Sequence, residues 1–362
     1  MRVLQVINNL NVGGAEKLLV ESLPFYEEMG VDIDLLCLNE TDSILNEEVL
    51  KNRFKGKFKT ITTGTLYNPL LIWKLIPIIR KYDIIHIHLF PALYFVVIAN
   101  FFCHTKLIYT EHSTYNKRRG NKFLRMIDKF IYSKINKIVS ISDDVDLKLK
   151  QHLGNKFSNK IIKIENGINL KKFISATPYN KEEFFLKDSF IMMQVSSFRF
   201  PKDQMTIIKA LKYLPDDVKF ICVGDGPLLE ANKKVGKELN VDDRLIFLGL
   251  RGDVPKLLKT ADVIILSSKY EGLSLASIEG MCLNKPFIAT DVPGLKDVVK
   301  GAGLLFNYQD VNGFSELILK LKDNHSYYNE VSASCFNRAQ NFDIKKMIYG
   351  YIELYKKLST NV

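Results

Sequence analysis

The sequence predicts an α/β protein built of two Rossmann-like, doubly wound parallel-sheet domains. Three observations predict it. A chain of 362 residues that is 47% hydrophobic holds more than one core's worth of material. Short β-rich runs alternate with helical stretches from end to end, the pattern of a parallel sheet covered on both faces. The alternation lapses once, between Asn166 and Asp188, and then starts again.

The first run, "RVLQVI", leads into "GGAEKLLVESLPFYEEMG", where Ala15, Leu18, Leu19, Ser22, Leu23 and Tyr26 keep helical spacing, and then into "VDIDLLCL". Pro24 conflicts with that helix and predicts a kink or an early end. Further strands are expected at "FKTIT", "DIIHIH", "KLIYT", "NKIVSIS" and "KIIKI". The apolar stretch Ile84–Phe102 nearly reaches the length of a membrane span. His86, His88 and the mid-run Pro91 instead predict a buried strand, a turn and a buried helix. These elements form a first domain over 1–170, with 171–187 a polar, aperiodic linker. A second domain over 188–341 begins at "FIMMQVSSF" and continues through a helix near Gln204–Lys212, "VKFICVG", a helix over Pro227–Leu239, "RLIFLG", "DVIILSS", a helix in "EGLSLASIEGM", and "PFIATD". The last segment, 342–360, sets Ile344, Met347, Ile348, Tyr351, Leu354 and Tyr355 along one side of a helix that closes the second domain or crosses back to the first. No short-period repeat or low-complexity tract is found.

Met1 leads directly into a strand with no signal-peptide pattern, and the five cysteines form no CxxC pair, so reduced core thiols in a cytoplasmic protein are expected. The net charge of +11 is unevenly placed: residues 1–180 hold 26 Lys/Arg against 17 Asp/Glu. Within Lys106–Lys137, nine basic residues face only Glu111 and Asp128. Such a stretch is either a solvated face or an electropositive patch for anionic lipid headgroups or nucleic acid. Its aromatics, Phe123, Phe130 and Tyr132, have helical spacing rather than the interleaving expected of an RNA-binding surface, so no nucleic-acid partner is expected.

In doubly wound domains ligands bind beyond the carboxyl ends of the strands. The first such loop holds Gly13 and Gly14, a tight turn or a close backbone approach to a ligand, but not a GxGxxG dinucleotide fingerprint. Later loops hold Glu111 and His112, then Arg199 and Lys202, then "GDGP" with Gly224, then Glu271. If a helix begins near Ser274, Glu271 precedes it and Glu279 lies more than a turn inside, so the two carboxylates cannot share a proton. The helix tip between them, at Ser274 and Leu275, suits a diphosphate, and each acid suits sugar hydroxyls. Standing alone, the same pair is a solvated acid plus a helix-start acid favoured by the macrodipole.

The pair does not stand alone. Together with "GGAEKLL", "EHS", "SISDDV", "ENGIN", "RFPKD", "VGDGP", "FLG", "EGLSLASIEGM" and "TDVPG", in that order over nearly the whole length, the chain resembles a retaining glycosyltransferase of the GT-B fold, in family four. The resemblance implies a nucleotide-diphosphate sugar, UDP- or GDP-linked, as co-substrate. It implies that Glu279 holds the ribose hydroxyls, Glu271 the donor sugar hydroxyls, and the amides at Ser274 and Leu275 the distal phosphate. Arg199 and Lys202 neutralise the leaving diphosphate, Gly13 and Gly14 approach the phosphates and acceptor, His112 lies by the donor sugar, and the loop at Leu250 and Arg251 touches the base. It also implies that the last helix crosses to the first domain. Only two residues separate Arg199 from Lys202, where the family usually has three, and Asp297 stands where a glutamate is common.

Two metal signals are weighed and set aside: His86 and His88 lack a third ligand nearby, and the Asp32–Asp34 DxD lies inside a strand. No metal or other cofactor is expected, because basic side chains and a helix tip neutralise the diphosphate. The predicted activity is transfer of a hexose, with retention, to a saccharide acceptor. The basic stretch suggests a lipid-linked acceptor at the inner face of the cell membrane, as in bacterial surface-polysaccharide assembly. The rivals are an epimerase or hydrolase on the same fold, distinguished by donor turnover without acceptor, and an inactive nucleotide-sugar or nucleic-acid binding module.

Overall fold

The structure, a computed structural model, describes residues 1–11, 13–51, 54–113, 121–184, 186–271 and 274–360. The chain forms two units, Met1–Gly167 with Ile344–Val362, and Ile168–Asp343.

Unit 1 runs β1 (Arg2–Ile7), α1 (Gly14–Glu28), β2 (Asp32–Asn39), α2 (Ile44–Lys51), β3 (Phe58–Thr62), α3 (Leu71–Ile79), β4 (Ile84–His88), α4 (Ala92–Asn100), β5 (Lys106–Glu111), α5 (Lys122–Ser133), β6 (Lys137–Ser140), α6 (Asp143–Leu153) and β7 (Ile161–Lys163). All seven strands are parallel, in the order β3-β2-β1-β4-β5-β6-β7. The sheet is covered on both faces, which is why its central strands read as largely apolar runs: Val3, Leu4, Val6 and Ile7 of β1 are all buried. The sequence order reverses direction between β1 and β4, so right-handed crossovers put α3, α4 and α5 on one face and α1 on the other.

α1 does not end at Pro24. It continues to Glu28, because buried Leu18, Leu19, Leu23 and Tyr26 hold it to the sheet on both sides of the proline, outweighing one lost helical hydrogen bond. The membrane-like stretch resolves into buried β4, the turn at Pro91 and α4. No helix among the described residues is long and apolar enough to cross a membrane.

Unit 2 runs α7 (Leu170–Ile174), β8 (Phe190–Val195), α8 (Gln204–Ala210), β9 (Val218–Val223), α9 (Leu229–Glu238), β10 (Leu245–Phe247), α10 (Val254–Thr260), β11 (Val263–Leu266), α11 (Leu275–Met281), β12 (Phe287–Thr290), α12 (Lys296–Val299), β13 (Leu304–Phe306), α13 (Val311–Asp323) and α14 (His325–Ala339). Its six strands are parallel in the order β10-β9-β8-β11-β12-β13. The segment read as a linker over 171–187 contributes to this unit, since Phe173 and Leu186 lie in its core. The last helix, α15 (Ile344–Thr360), belongs to unit 1: its buried stripe includes Met347, Tyr351 and Tyr355, and Tyr355 stacks on Tyr26 of α1 with ring centroids 6.0 Å apart. Cys37, Cys222, Cys282 and Cys335 are buried free thiols, and burial pushes the first, third and fourth up to about 12.

Gly280 lets α11 lie against β11 and β12: a Cβ there would sit 2.6 Å from the Phe287 ring and 2.8 Å from the Ile264 side chain. Alanine gains up to about 1 kcal/mol of helix propensity, whereas overpacking a core costs about 1–3 kcal/mol. Gly280→Ala is therefore expected to destabilise the protein by about 1–2 kcal/mol in urea unfolding. Gly252→Ala, where a Cβ meets nothing within 4 Å, is the control and should stay near wild type; equal midpoints for the two variants would contradict the packing argument.

Candidate functional site

In unit 2 the strand order reverses between β8 and β11, so the crevice for a ligand opens between the loops that follow them. Those loops are sewn together. The Asp203 backbone N–H donates to the Ser267 carbonyl at 3.0 Å, and Lys269 N–H donates to the Pro201 carbonyl at 2.9 Å. Lys202 pairs with Ser268 in an isolated antiparallel bridge. Beneath them, buried Gln194 of β8 accepts from the Ser267 N–H at 3.1 Å and donates to Ser196 Oγ at 2.9 Å. The Asp203 carboxylate caps α8 by accepting from Thr206 N–H, and also takes the Thr206 and Ser267 hydroxyls. Thr290 Oγ1 at the end of β12 accepts from the Ser268 N–H and donates to the Ser268 carbonyl.

The chemistry sits on this frame. The Lys202 N–H donates to the Arg199 carbonyl at 2.8 Å, closing a four-residue turn in which Phe200 and Pro201 form the corner. That turn is the physical form of the two-residue spacing. It directs the Lys202 ammonium onto the Glu271 carboxylate, an ion pair whose side chains are 18% and 14% exposed. Arg199 is exposed. α11 opens at Leu275 with Ser274 as its N-cap, the Ser274 side chain accepting from Ser277 N–H. Glu271 thus precedes the helix, and buried Glu279 lies a full turn inside it. Gly272 and Leu273, between them, lie outside the described residues.

Gly224 and Gly226 serve the frame. With φ of +139° and +153°, a Cβ on each would meet the Ser196 carbonyl oxygen at 2.2 Å and the Phe198 carbonyl oxygen at 2.5 Å, so only glycine lets these two loops approach. After β10, Leu250 is 80% exposed. The Arg251 guanidinium forks onto Asp253, with Nε and Nη2 at 2.8 and 2.6 Å, and this pairing holds the Asp253 carboxyl far below the usual range.

In unit 1, Gly13 is the N-cap of α1, with extended backbone, and the Glu16 carboxylate folds back over it. Gly14 has open space where a side chain would be. Asn8 ties the loop after β1 to the turn after β4, donating to the Phe90 carbonyl and accepting from Ala92 N–H at 2.9 Å. His112, after β5, ends a chain of hydrogen bonds through the core. Gln5 Nε2 donates to Tyr355 Oη at 3.1 Å, and its Oε1 accepts from His88 Nε2–H at 2.7 Å. His88 Nδ1 is then an acceptor, filled by His112 Nε2–H at 3.0 Å. His86 Nδ1 shares a hydrogen bond with Tyr355 Oη and its Nε2 one with Thr110 Oγ1, both at 2.7 Å. His88 and His112 therefore both carry their proton on Nε2. Burial holds His86 down at about 3 and His112 at about 4, and keeps His88 well below its ordinary value.

His86 and His88 thus spend their nitrogens on core partners. Asp34 likewise accepts from Tyr82 Oη and Lys57 N–H, and Asp32 pairs with Arg2 at 3.4 Å. Among the described residues no group of three or more His, Cys, Asp or Glu is placed to hold a metal. Of the basic stretch, Lys117, Arg118 and Arg119 lie outside the described residues. Gly13, Gly14 and His112 belong to unit 1, and Arg199, Lys202, Gly224, Leu250, Arg251, Ser274, Leu275, Glu271 and Glu279 to unit 2. Sequence reasoning assigned no hydrogen-bonding role to Gln5, Gln194, Asp203, Thr290, Tyr351 or Tyr355. A lone glutamine inside each of the apolar runs "RVLQVI" and "FIMMQV" was the available signal, because a buried amide must find partners.

Residues 12–172 match the family model described as Glycosyltransferase Family 4, and residues 177–341 match glycosyl transferases group 1. Among curated relatives, UDP-Gal:alpha-D-GlcNAc-diphosphoundecaprenol alpha-1,3-galactosyltransferase of Escherichia coli is 32% identical over 56% of this chain and 55% of its own. N-acetyl-alpha-D-glucosaminyl L-malate synthase of Bacillus anthracis is 28% identical over 48% of each. N,N'-diacetylbacillosaminyl-diphospho-undecaprenol alpha-1,3-N-acetylgalactosaminyltransferase of Campylobacter jejuni is 24% identical over 61% of this chain and 60% of its own. The matches span about half the length of the first two relatives. Among solved structures, Anabaena Alr3699/HepE in complex with UDP and glucose superposes with a TM-score of 0.86 at 19% identity, over 99% of this chain and 100% of that one. A glycosyltransferase from Rickettsia africae gives 0.83 at 20% identity, over 100% and 99%. At such identities the likeness concerns the fold alone.

The neutral histidines make a pH prediction. A histidine whose folded value lies below the ordinary 6.5 refuses a proton that the unfolded chain accepts. Its contribution is present above pH 6.5 and is lost as pH falls toward about 3. At pH 4, His86 alone accounts for about 3 kcal/mol of lost stability. Urea unfolding should show this slope, and His86→Gln should flatten it between pH 6.5 and 4; parallel profiles for the two proteins would overturn it.

Proposed function

We propose that this GT-B glycosyltransferase, whose two halves match the models for Glycosyltransferase Family 4 and for glycosyl transferases group 1, is a retaining hexosyltransferase. It moves a hexose from a UDP- or GDP-linked donor to a hydroxyl of a saccharide acceptor carried on a lipid, in bacterial surface-polysaccharide synthesis. The lipid-linked acceptor is supported by the diphosphoundecaprenol named for two relatives, and a nucleotide-sugar donor by the UDP and glucose in the Anabaena complex.

The observation that carries this reading is the Lys202–Glu271 ion pair at the switch point of unit 2, followed at once by α11 and its buried Glu279. An entering diphosphate takes over the Lys202 ammonium, which frees the Glu271 carboxylate to accept hydroxyls of the sugar. Glu279 accepts the ribose hydroxyls. Arg199, exposed at the other end of the turn, supplies the second cation. The bond between the anomeric carbon and the diphosphate oxygen breaks as the acceptor oxygen bonds that carbon from the same face. The departing phosphate oxygen takes the acceptor's proton, so no protein base is needed. Negative charge grows on the phosphate during this step, so preorganised cations lower its barrier. No metal enters the proposed step.

Glu279→Ala should chiefly weaken nucleotide binding. Arg199→Ala and Glu271→Gln should lower turnover by about 10²–10³, the size of one lost stabilising contact in comparable oxyanion sites. Glu271→Gln should bind nucleoside diphosphate no worse than wild type, because Lys202 is no longer neutralised. Steady-state kinetics and calorimetry with UDP, GDP and ADP and their sugars measure all three. Unchanged kinetics throughout would remove the assignment, and donor turnover equally fast without acceptor would turn it toward an epimerase or hydrolase.

A further inference from the structure

The face of unit 1 made by α3, α4 and α5 carries apolar side chains where a solvated surface carries polar ones. Trp73, Phe102, Phe123 and Met126 are 64%, 50%, 63% and 62% exposed, and Phe101 and Phe130 are exposed beside them. They form one run. The Trp73 ring lies 5.8 Å from that of Phe102, and Phe101 stacks on Phe130 at 6.2 Å. Phe123, Met126 and Phe130 share one side of α5 at spacings of three and four. Single exposed apolar residues are ordinary, but a contiguous patch is not.

α5 cannot hide this side by rolling, because its opposite side is anchored. Buried Asp128 accepts from Tyr94 Oη of α4 and pairs with His152 of α6 at 2.8 Å, and Ile131 and Tyr132 fill the core beside it. Turning the helix would strand a buried carboxylate without its partners.

Cations frame the patch. The Lys134 ammonium lies 5.6 Å from the Phe101 ring centroid and 5.4 Å from that of Phe130, and Lys74, Lys122 and Lys129 stand on the same helices. Between residues 68 and 137 the only acids are Asp83, Glu111 and Asp128. The last two are buried, and Asp83 accepts the Arg2 N–H at 2.7 Å. Rings that prefer the headgroup level, interspersed with lysines and with no exposed acid on the three helices, match an anionic bilayer. A second copy of this face would oppose like charges. We infer that α3, α4 and α5 dock unit 1 on an anionic lipid bilayer, the rings entering the headgroup layer and the lysines meeting lipid phosphates. The inference stands apart from the sugar-transfer reading, because vesicle binding is measured without donor or acceptor.

Trp73 is the chain's single tryptophan, so the patch carries its own reporter. The full chain, with large vesicles of phosphatidylcholine with and without phosphatidylglycerol, should sediment with the anionic vesicles at low salt. Its tryptophan emission should shift to the blue and be quenched by brominated acyl chains. Lys122→Glu, Lys129→Glu and Lys134→Glu together should lower vesicle partition at least about 100-fold. Phe123→Ser, Met126→Ser and Phe130→Ser together should abolish the blue shift, while both triple variants keep the wild-type unfolding midpoint. Unchanged emission and no sedimentation of wild type on anionic vesicles would overturn the inference, as would equal binding by both variants. A doubled mass and a concentration-dependent emission shift without vesicles would assign the face to a second copy instead.

Discussion

Everything proposed for unit 2 depends on the backbone pairing of two loops that are remote in sequence. Lys202 and Glu271 lie 69 positions apart, and both side chains are flexible. A surface pair of that kind contributes little, because ordering two long side chains offsets most of the attraction. Here the ordering is already done by the frame. Lys202 is bridged to Ser268, Ser268 is gripped by Thr290, and Asp203 holds both Ser267 and the first turn of α8. The cation and the carboxylate are therefore delivered by backbone hydrogen bonds rather than found by side-chain search. A site that must bind charge growing in a transition state gains from such preorganisation, since nothing has to rearrange when the charge appears.

Unit 1 solves the corresponding problem with neutral groups. The carboxyl ends of its central strands carry Gln5, His86, His88 and Thr110, all buried. Charged groups would be costly in that setting, and unpaired polar ones nearly so. The last helix answers both demands, because the Tyr355 hydroxyl accepts from Gln5 and bonds His86, and the Tyr351 hydroxyl pairs with Thr110. The return of α15 to unit 1 is thus more than apolar burial: without its two tyrosines, His86 and Gln5 would lose partners in the core. The same chain fixes which nitrogen of His112 carries its proton, so a residue at the end of β5 is oriented from the far end of the sequence.

Much of this was legible beforehand. Strong two-sided burial writes itself into strands as apolar runs, so every described strand but the three-residue β13 was visible, and the loops after them drew attention to Arg199, Lys202, Glu271 and His112. A helix beginning near Ser274 was supposed, and α11 does open at Leu275 with Ser274, a good cap, before it. What stayed hidden was pairwise and long-range. Gly224 could be placed only in a loop after a strand, and the structure shows it also yielding space to the Ser196 carbonyl, a contact that no local pattern encodes. The early end, one of the two outcomes expected at Pro24, does not occur for a related reason, since helix rules weigh the lost hydrogen bond but not the core contacts of Leu23 and Tyr26 that hold the turn in place. The linker reading of 171–187 failed to weigh Phe173 and Leu186, two apolar residues in polar surroundings that unit 2 buries.

The outward side of α5 belongs to the same logic seen from outside. Its sequence, "KFLRMIDKFIYS", has apolar residues on two sides, and one sheet can bury only one of them. Which side goes inward is decided by Asp128, because His152 and Tyr94 offer it partners only in the core. A carboxylate, the least expected of buried residues, therefore sets the orientation that leaves Phe123, Met126 and Phe130 in water. Aliphatic residues facing inward beside a solvated aspartate would have made an ordinary amphipathic helix. The polar anchor makes the apolar outer face obligatory, so the exposed rings follow from the fold itself.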